Sequence, residues 1–202
     1  MNKTVLTAAA VIALSVSFAS AEKTADKDAD ERLFGTDLAV CTGIPFYGSE
    51  SLRTADELSG SENSPGRVII GTSADMRFMA SEQLGFIAGG DLLCDFIWSG
   101  DMHANHLDYA LFGGVKVYPV LRGFNFSICY ALGTRSDFYA SDSHDSWAEQ
   151  AKWGNGFRIA LEYDFAYGTS HRFPAVGTYW RFMPRGGNVY DNVLAAYLSI
   201  RL

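Results

Sequence analysis

The sequence predicts an all-β chain, folded as an eight-stranded antiparallel transmembrane up-and-down β-barrel. Three observations predict it: a secretory leader, eight segments that alternate apolar and polar residues, and an aromatic, glycine-rich composition without a long apolar run. The chain holds 20 Gly and 14% aromatic residues but 5 Pro, at a mean hydropathy of only +0.01. That balance suits a membrane barrel, in which every second strand residue need be apolar.

The leader sets the compartment. Lys3 is a short basic region, Val5 to Phe18 carry no charge, and Ala19-Ser20-Ala21 is a small-x-small cleavage signal. This is the pattern of an exported chain cut after Ala21, too short for a membrane anchor. The expected organisation is a signal peptide at 1–21, a periplasmic N-terminal segment at 22–32 and one barrel domain at 33–202. Loss of the leader removes one Lys and no acid, taking the formal charge from −7 to −8. Such acidity, without a basic patch, argues against a nucleic-acid partner, because that association draws on counterion release by clustered Lys and Arg. The longest uncharged runs after the leader, Leu38–Ser49 and Gly123–Thr134, span twelve residues each. A membrane-spanning helix needs about 20.

Period-two alternation marks the strands in order. The first, about Phe34–Phe46, is noisy. The second sets Val68, Ile70, Ala74, Met76 and Phe78 against Gly71, Ser73, Asp75 and Arg77. The third sets Leu84, Phe86, Leu92, Cys94, Phe96 and Trp98 against Gly85, Gly89, Asp91 and Asp95. The fourth, about Tyr109–Val120, is again noisy. The fifth sets Phe124, Phe126, Ile128, Tyr130 and Leu132 against Asn125, Ser127, Cys129 and Ala131. The sixth is the clearest: Phe157, Ile159, Leu161, Tyr163 and Phe165 against Arg158, Ala160, Glu162, Asp164 and Ala166. The seventh runs over about Phe173–Phe182. The last sets Leu194, Ala196, Leu198, Ile200 and Leu202 against Ala195, Tyr197, Ser199 and Arg201.

Between these segments the gaps alternate long and short. The expected long connections are Tyr47–Gly66, Ser99–Asp108, Thr134–Trp153 and Pro184–Asp191, rich in Ser, Asp, Gly and Asn. The expected short ones lie near Ser81–Glu82, Leu121–Gly123 and Gly168–Arg172. That asymmetry is the one outer-membrane barrels show, and an even strand count puts both termini on the short-turn side. Aromatics fall near both rims: Phe46, Tyr47, Trp98, Tyr109, Phe182 and Tyr190 on the loop side, Phe34, Phe78, Phe86, Tyr118, Phe165 and Phe173 on the turn side. Two girdles are the mark of bilayer interfaces. A soluble barrel or sandwich alternates too. The Gly, Ala and Ser of the polar face, with single charges of both signs, fit a crowded lumen better than a solvated exterior.

The signal Met1–Ala21, the first-strand phrase Thr42-Gly-Ile-Pro-Phe-Tyr-Gly48 and the closing strand Val193–Leu202 resemble the small eight-stranded outer-membrane barrels of OmpW and OmpX type, including OmpW-like barrels of spirochaetes. The resemblance implies an outer-membrane location, outer-membrane lipid and the barrel-assembly machinery as partners, and passage of small apolar or amphipathic compounds. Leu198, Ile200 and Leu202 match the alternating apolar part of the C-terminal assembly signal, with Leu202 standing where Phe or Trp is usual.

The inward face collects the charges. Asp37, Asp75, Asp91, Asp95, Glu162 and Asp164 stand against Arg77, Lys116, Arg158, Arg181 and Arg201. An eight-stranded barrel is just wide enough to be filled by side chains, and an unpaired buried charge is costly. These groups are therefore expected to pair across the lumen, Arg158 with Glu162 among them, as a plug or as the wall of a narrow polar path. His103 and His106 with Asp101 are a possible zinc pair, weaker than a solvated tip. Ser141-Asp-Ser-His144-Asp145 holds the residue types of a hydrolytic triad, which sequence crowding alone does not assemble. Cys41, Cys94 and Cys129 are an odd number without metal or disulfide spacing, and Cys94 is expected on the opposite face from the other two. No cofactor motif and no trusted catalytic signature is present. The expected function is that of a surface barrel with exposed loops and a mostly plugged lumen, not an enzyme. A small pore or transporter, then an outer-membrane hydrolase, are the alternatives.

Overall fold

The computed structural model describes residues 34–48, 65–119, 123–141, 146–165 and 174–202. Its strands are β1 (Phe34–Phe46), β2 (Gly66–Met79), β3 (Leu84–Ser99), β4 (Met102–Val117), β5 (Phe124–Ala140), β6 (Trp147–Gln150), β7 (Gly154–Asp164), β8 (Ala175–Gly186) and β9 (Val189–Arg201). Each pairs antiparallel with its neighbour, β5 also pairs β7, and β1 returns to β9, so the sheet closes on itself. Closure leaves no long edge for another chain to pair with.

The ring is eight strands wide because β6 and β7 share one line. β6 pairs with Ser136–Tyr139 of β5, and β7 pairs with Phe124–Gly133. Between them Ala151, Lys152 and Trp153 oppose Thr134 and Arg135, a one-residue bulge of the kind found at barrel rims. Its backbone is held throughout: Ala151 N–H donates to Arg135 O at 2.8 Å, and Thr134 Oγ1 donates to Ala151 O at 2.6 Å. Arg185 Nη1 reaches Lys152 O at 3.0 Å and Gly133 O at 3.1 Å.

The faces follow the alternation. Val40, Ile44, Ile70, Leu111, Ile128, Leu161, Leu194 and Ile200 turn outward and are half-exposed, while Asp91, Asp95, Lys116, Arg158 and Arg181 are buried inside. Apolar groups lie outside and charges inside, the inverse of a water-soluble barrel. Cys41 and Cys129 face the lumen and Cys94 does not. At the outer rims Phe46, Trp98 and Tyr190 mark one end, and Phe34, Phe78, Phe86 and Phe165 the other.

Several expectations are corrected. Tyr47 and Tyr118 are not rim aromatics: both are 4% exposed and sit in the lumen, where each hydroxyl meets a charged partner. Phe173 lies outside the described residues. The connections do not follow the expected long–short rhythm. β3 passes to β4 through Gly100-Asp101 alone, and β8 to β9 through Gly187-Asn188. Gly100 at φ +58 takes the first central position, as in a type II′ turn, and Gly187 and Asn188 both have positive φ, as in type I′. Strands β4 and β5 likewise run on through stretches expected to be loops, because their polar residues point into the lumen rather than into solvent.

Candidate functional site: the charged lumen

Alternate residues of every barrel strand point inward, so charges distant in sequence meet in the lumen. At the turn-side end, Asp37 of β1 is approached by Arg77 of β2 at 3.7 Å, Lys116 of β4 at 3.8 Å and Arg201 of β9 at 3.5 Å. Lys116 Nζ lies 2.8 Å from Glu162 Oε1. The same carboxylate accepts from Asn125 Nδ2 at 3.0 Å and from Tyr197 Oη at 3.0 Å. The Tyr197 ring reaches that place by lying flat across Gly177 of β8, where a Cβ would collide with the phenol. Arg201 also holds Asp164 at 2.7 Å, and Arg77 donates to the Tyr118 hydroxyl at 2.7 Å.

Across the middle, Asp91 of β3 is gripped by Arg181 of β8 and approached at 3.4 Å by Arg158 of β7. The Arg158 guanidinium sits between the rings of Phe112 at 4.4 Å and Tyr179 at 4.3 Å. Two aromatic faces stabilise a cation that has little water left.

Toward the loops the pairs join into a ladder. Arg181 links Asp91 to Asp108 at 2.8 Å. Arg185 lies 3.7 Å from Asp108 and grips Asp191. Arg135 joins Asp191 to Asp137, the latter through Nε at 2.7 Å and Nη2 at 2.9 Å. Asp137 meets Nδ1 of His106 at 2.7 Å, and the His106 ring packs on Tyr47 at 4.7 Å. The Tyr47 hydroxyl donates to Asp95 at 2.9 Å, and Arg67 clamps the same carboxylate with two bonds of 2.9 and 2.8 Å. Bidentate guanidinium–carboxylate pairs fix geometry as well as charge.

All eleven residues assigned from sequence to the lumen lie on the inward face: Asp37, Asp75, Arg77, Asp91, Asp95, Lys116, Arg158, Glu162, Asp164, Arg181 and Arg201. The pairing is not the one expected, because Arg158 turns to Asp91 while Glu162 belongs to Lys116. The register explains this. Arg158 stands directly beside Arg181 on β8, so both cations converge on the one carboxylate between them. Sequence reasoning missed Arg67, His106, Asp108, Arg135, Asp137, Arg185 and Asp191. They add three cations, three acids and a histidine, and so preserve the near balance.

His103 and His106 are three apart on β4, hence on opposite faces; His103 is exposed while His106 is buried in the lumen. The two cannot share an ion. Ser141 Oγ bonds Asp101 at 3.3 Å, and the rest of the triad-like run, including His144, lies outside the described residues. Leu198, Ile200 and Leu202 lie exposed on the outer face of β9.

Neither a protein-family model nor a curated protein sequence matches the chain. Solved structures match the fold. The attachment invasion locus protein Ail of Yersinia pestis aligns over 84% of this chain and 97% of its own, at 9% identity and a TM-score of 0.56. The same protein in complex with the heparin analogue sucrose octasulfate aligns over equal shares at a TM-score of 0.55. Neisserial surface protein A aligns over 84% of this chain and 97% of its own, at 11% identity and a TM-score of 0.46. The chain thus shares the closed eight-stranded architecture of small outer-membrane barrels.

Proposed function

We propose that this chain is an integral outer-membrane barrel that presents its loop side to the exterior and keeps its lumen closed by ion pairs. The observation that carries this is the inverted wall, with half-exposed Val, Ile, Leu and Phe outside and ion-paired Asp, Glu, Lys and Arg within. In water such a wall would expose an apolar surface far beyond what soluble monomers tolerate. In a bilayer the same surface is solvated by lipid, while the closed ladder satisfies every strand edge. The leader and the shared architecture support export after cleavage at Ala21, with outer-membrane lipid and the barrel-assembly machinery as partners. Both termini then lie on the periplasmic side, beside each other, as the bond from Leu202 N–H to Thr36 O at 2.9 Å requires.

A filled lumen has no room for a steady aqueous current. Wild-type protein in a planar bilayer is therefore expected to give no steady single-channel conductance, and the exported chain to fractionate with the outer membrane. Recovery in the soluble periplasm without detergent would sink the proposal as a whole. Large, steady conductance would replace the plugged barrel by a small pore.

A further inference from the structure

We infer that the lumen is wet from one side only: a blind aqueous vestibule enters at the turn-side mouth and ends beneath the Arg158–Asp91–Arg181 closure. The inference rests on the plugged-barrel reading and adds a direction to it.

Two neighbouring cavities carry it. The inner one, of about 20 Å³, is lined by residues including Asp37, Ser73, Asp75, Lys116, Arg158 and Glu162. That is room for one or two waters. The outer one, of about 10 Å³, lies toward the mouth among Asp164, Ala175 and Arg201. Asp37, Glu162 and Ser199 line both. Together they lead from the mouth, where the Arg201 side chain is 35% exposed, to the Arg158 guanidinium.

Asp75 supplies the independent reason for water. It stands directly across the β1–β2 ladder from Asp37, and like charges directly opposite destabilise a sheet. Asp37 has three cations near it. Asp75 Oδ1 is buried and has no hydrogen-bond partner among the described residues. The nearest lysine on the cavity wall, Lys116, is engaged by Glu162 at 2.8 Å. A carboxylate oxygen left without any partner inside a barrel would cost several kcal/mol; water in the adjoining cavity removes that cost. Above this level the lumen is filled by the Phe112–Arg158–Tyr179 stack and the ladder of guanidinium–carboxylate pairs. Water therefore enters from the turn side and stops.

The experiment uses silver ion, a small thiol-reactive cation, on full-length barrels in vesicles whose orientation is scored by protease removal of an N-terminal tag. Ser73→Cys and Ser199→Cys place a thiol on the inner cavity. Val193→Cys places one in the packed loop-side half, where Val193 is 1% exposed. None of the three shares a tryptic peptide with Cys41, Cys94 or Cys129, so alkylation after denaturation and peptide mapping read each thiol separately. The gel shift between unheated and heated samples confirms that each variant has folded. Silver from the terminal side is expected to protect Cys at 73 and 199 at least tenfold more than silver from the loop side, and to spare 193 from both. Adding Asp75→Leu to Ser73→Cys should dry the cavity and lower the terminal-side protection. Two folded variants inert from both sides would overturn the vestibule and leave the plug standing. Equal protection from both sides would overturn the plug itself.

Discussion

Replacing Arg181 by Met is expected to destabilise the barrel by roughly 3–5 kcal/mol, the range for removing one partner of a buried pair. Arg181 is 1% exposed and serves two carboxylates on neighbouring strands, Asp91 of β3 and Asp108 of β4. Methionine fills much of the same space, so the loss is electrostatic: two acids are left facing each other away from water. Arg158 cannot take over without leaving the Phe112 and Tyr179 rings. Adding Asp91→Asn and Asp108→Asn to the Arg181 variant should restore most of the stability, because the surplus charge goes with the cation. Unfolding by denaturant in detergent micelles measures all of these. A wild-type curve for Arg181→Met alone would mean that no buried network exists at this level. Arg201→Met makes the contrast. A third of that side chain is exposed at the mouth, and a solvated pair contributes about 1 kcal/mol or less.

Leu161→Arg should cost roughly 2–4 kcal/mol, as a charge on the lipid face near the midplane does. Leu161 is 45% exposed on the outer wall of β7, while its neighbour Ala160 is 4% exposed and faces inward. Ala160→Ser therefore places a hydroxyl among polar groups and should change stability far less. The retained gel shift of unheated protein, with denaturant curves beside it, separates the two. Equal tolerance at 160 and 161 would mean that the wall is not lipid-facing.

The architecture was legible in the sequence where alternation was strict. On β3, β5, β7 and β9 a single parity decides every face, and Cys94 falls opposite Cys41 and Cys129 for that reason alone. The strand ends were not legible, because they were judged by polarity. A run such as His106-Leu-Asp108-Tyr-Ala110 reads as a loop by composition, yet its period of two never stops: 104, 106, 108 and 110 point inward, 105, 107 and 109 outward. Following parity through polar stretches would have found His106, Asp108, Arg135 and Asp137. It would also have moved Tyr47, two steps beyond Pro45, and Tyr118, two steps beyond Lys116, from the rims to the lumen. What parity could not supply is the choice of partner. That depends on how the strands tilt and stagger around the ring, and it is why Arg158 was matched to Glu162 four residues along its own strand rather than to Asp91 across the lumen.

The ladder between β1 and β9 differs from the others in how the chain must reach it. It aligns ten residue pairs, from Asp37 with Arg201 to Phe46 with Asn192, yet the two strands come from opposite ends of the barrel sequence. Every other neighbouring pair is joined by a comparatively short connection. Loop-closure entropy rises with the logarithm of the intervening length, and long-range pairings form late, so this seam is the last to zip. Until then β1 and β9 are two open edges of a curved ribbon, with unsatisfied peptide groups that invite a second chain. Joining Leu202 to the start of β1 by a short linker and opening the chain at Asn188 would turn the seam into an ordinary hairpin. The slow step would then move to β8 and β9, with the finished cylinder unchanged.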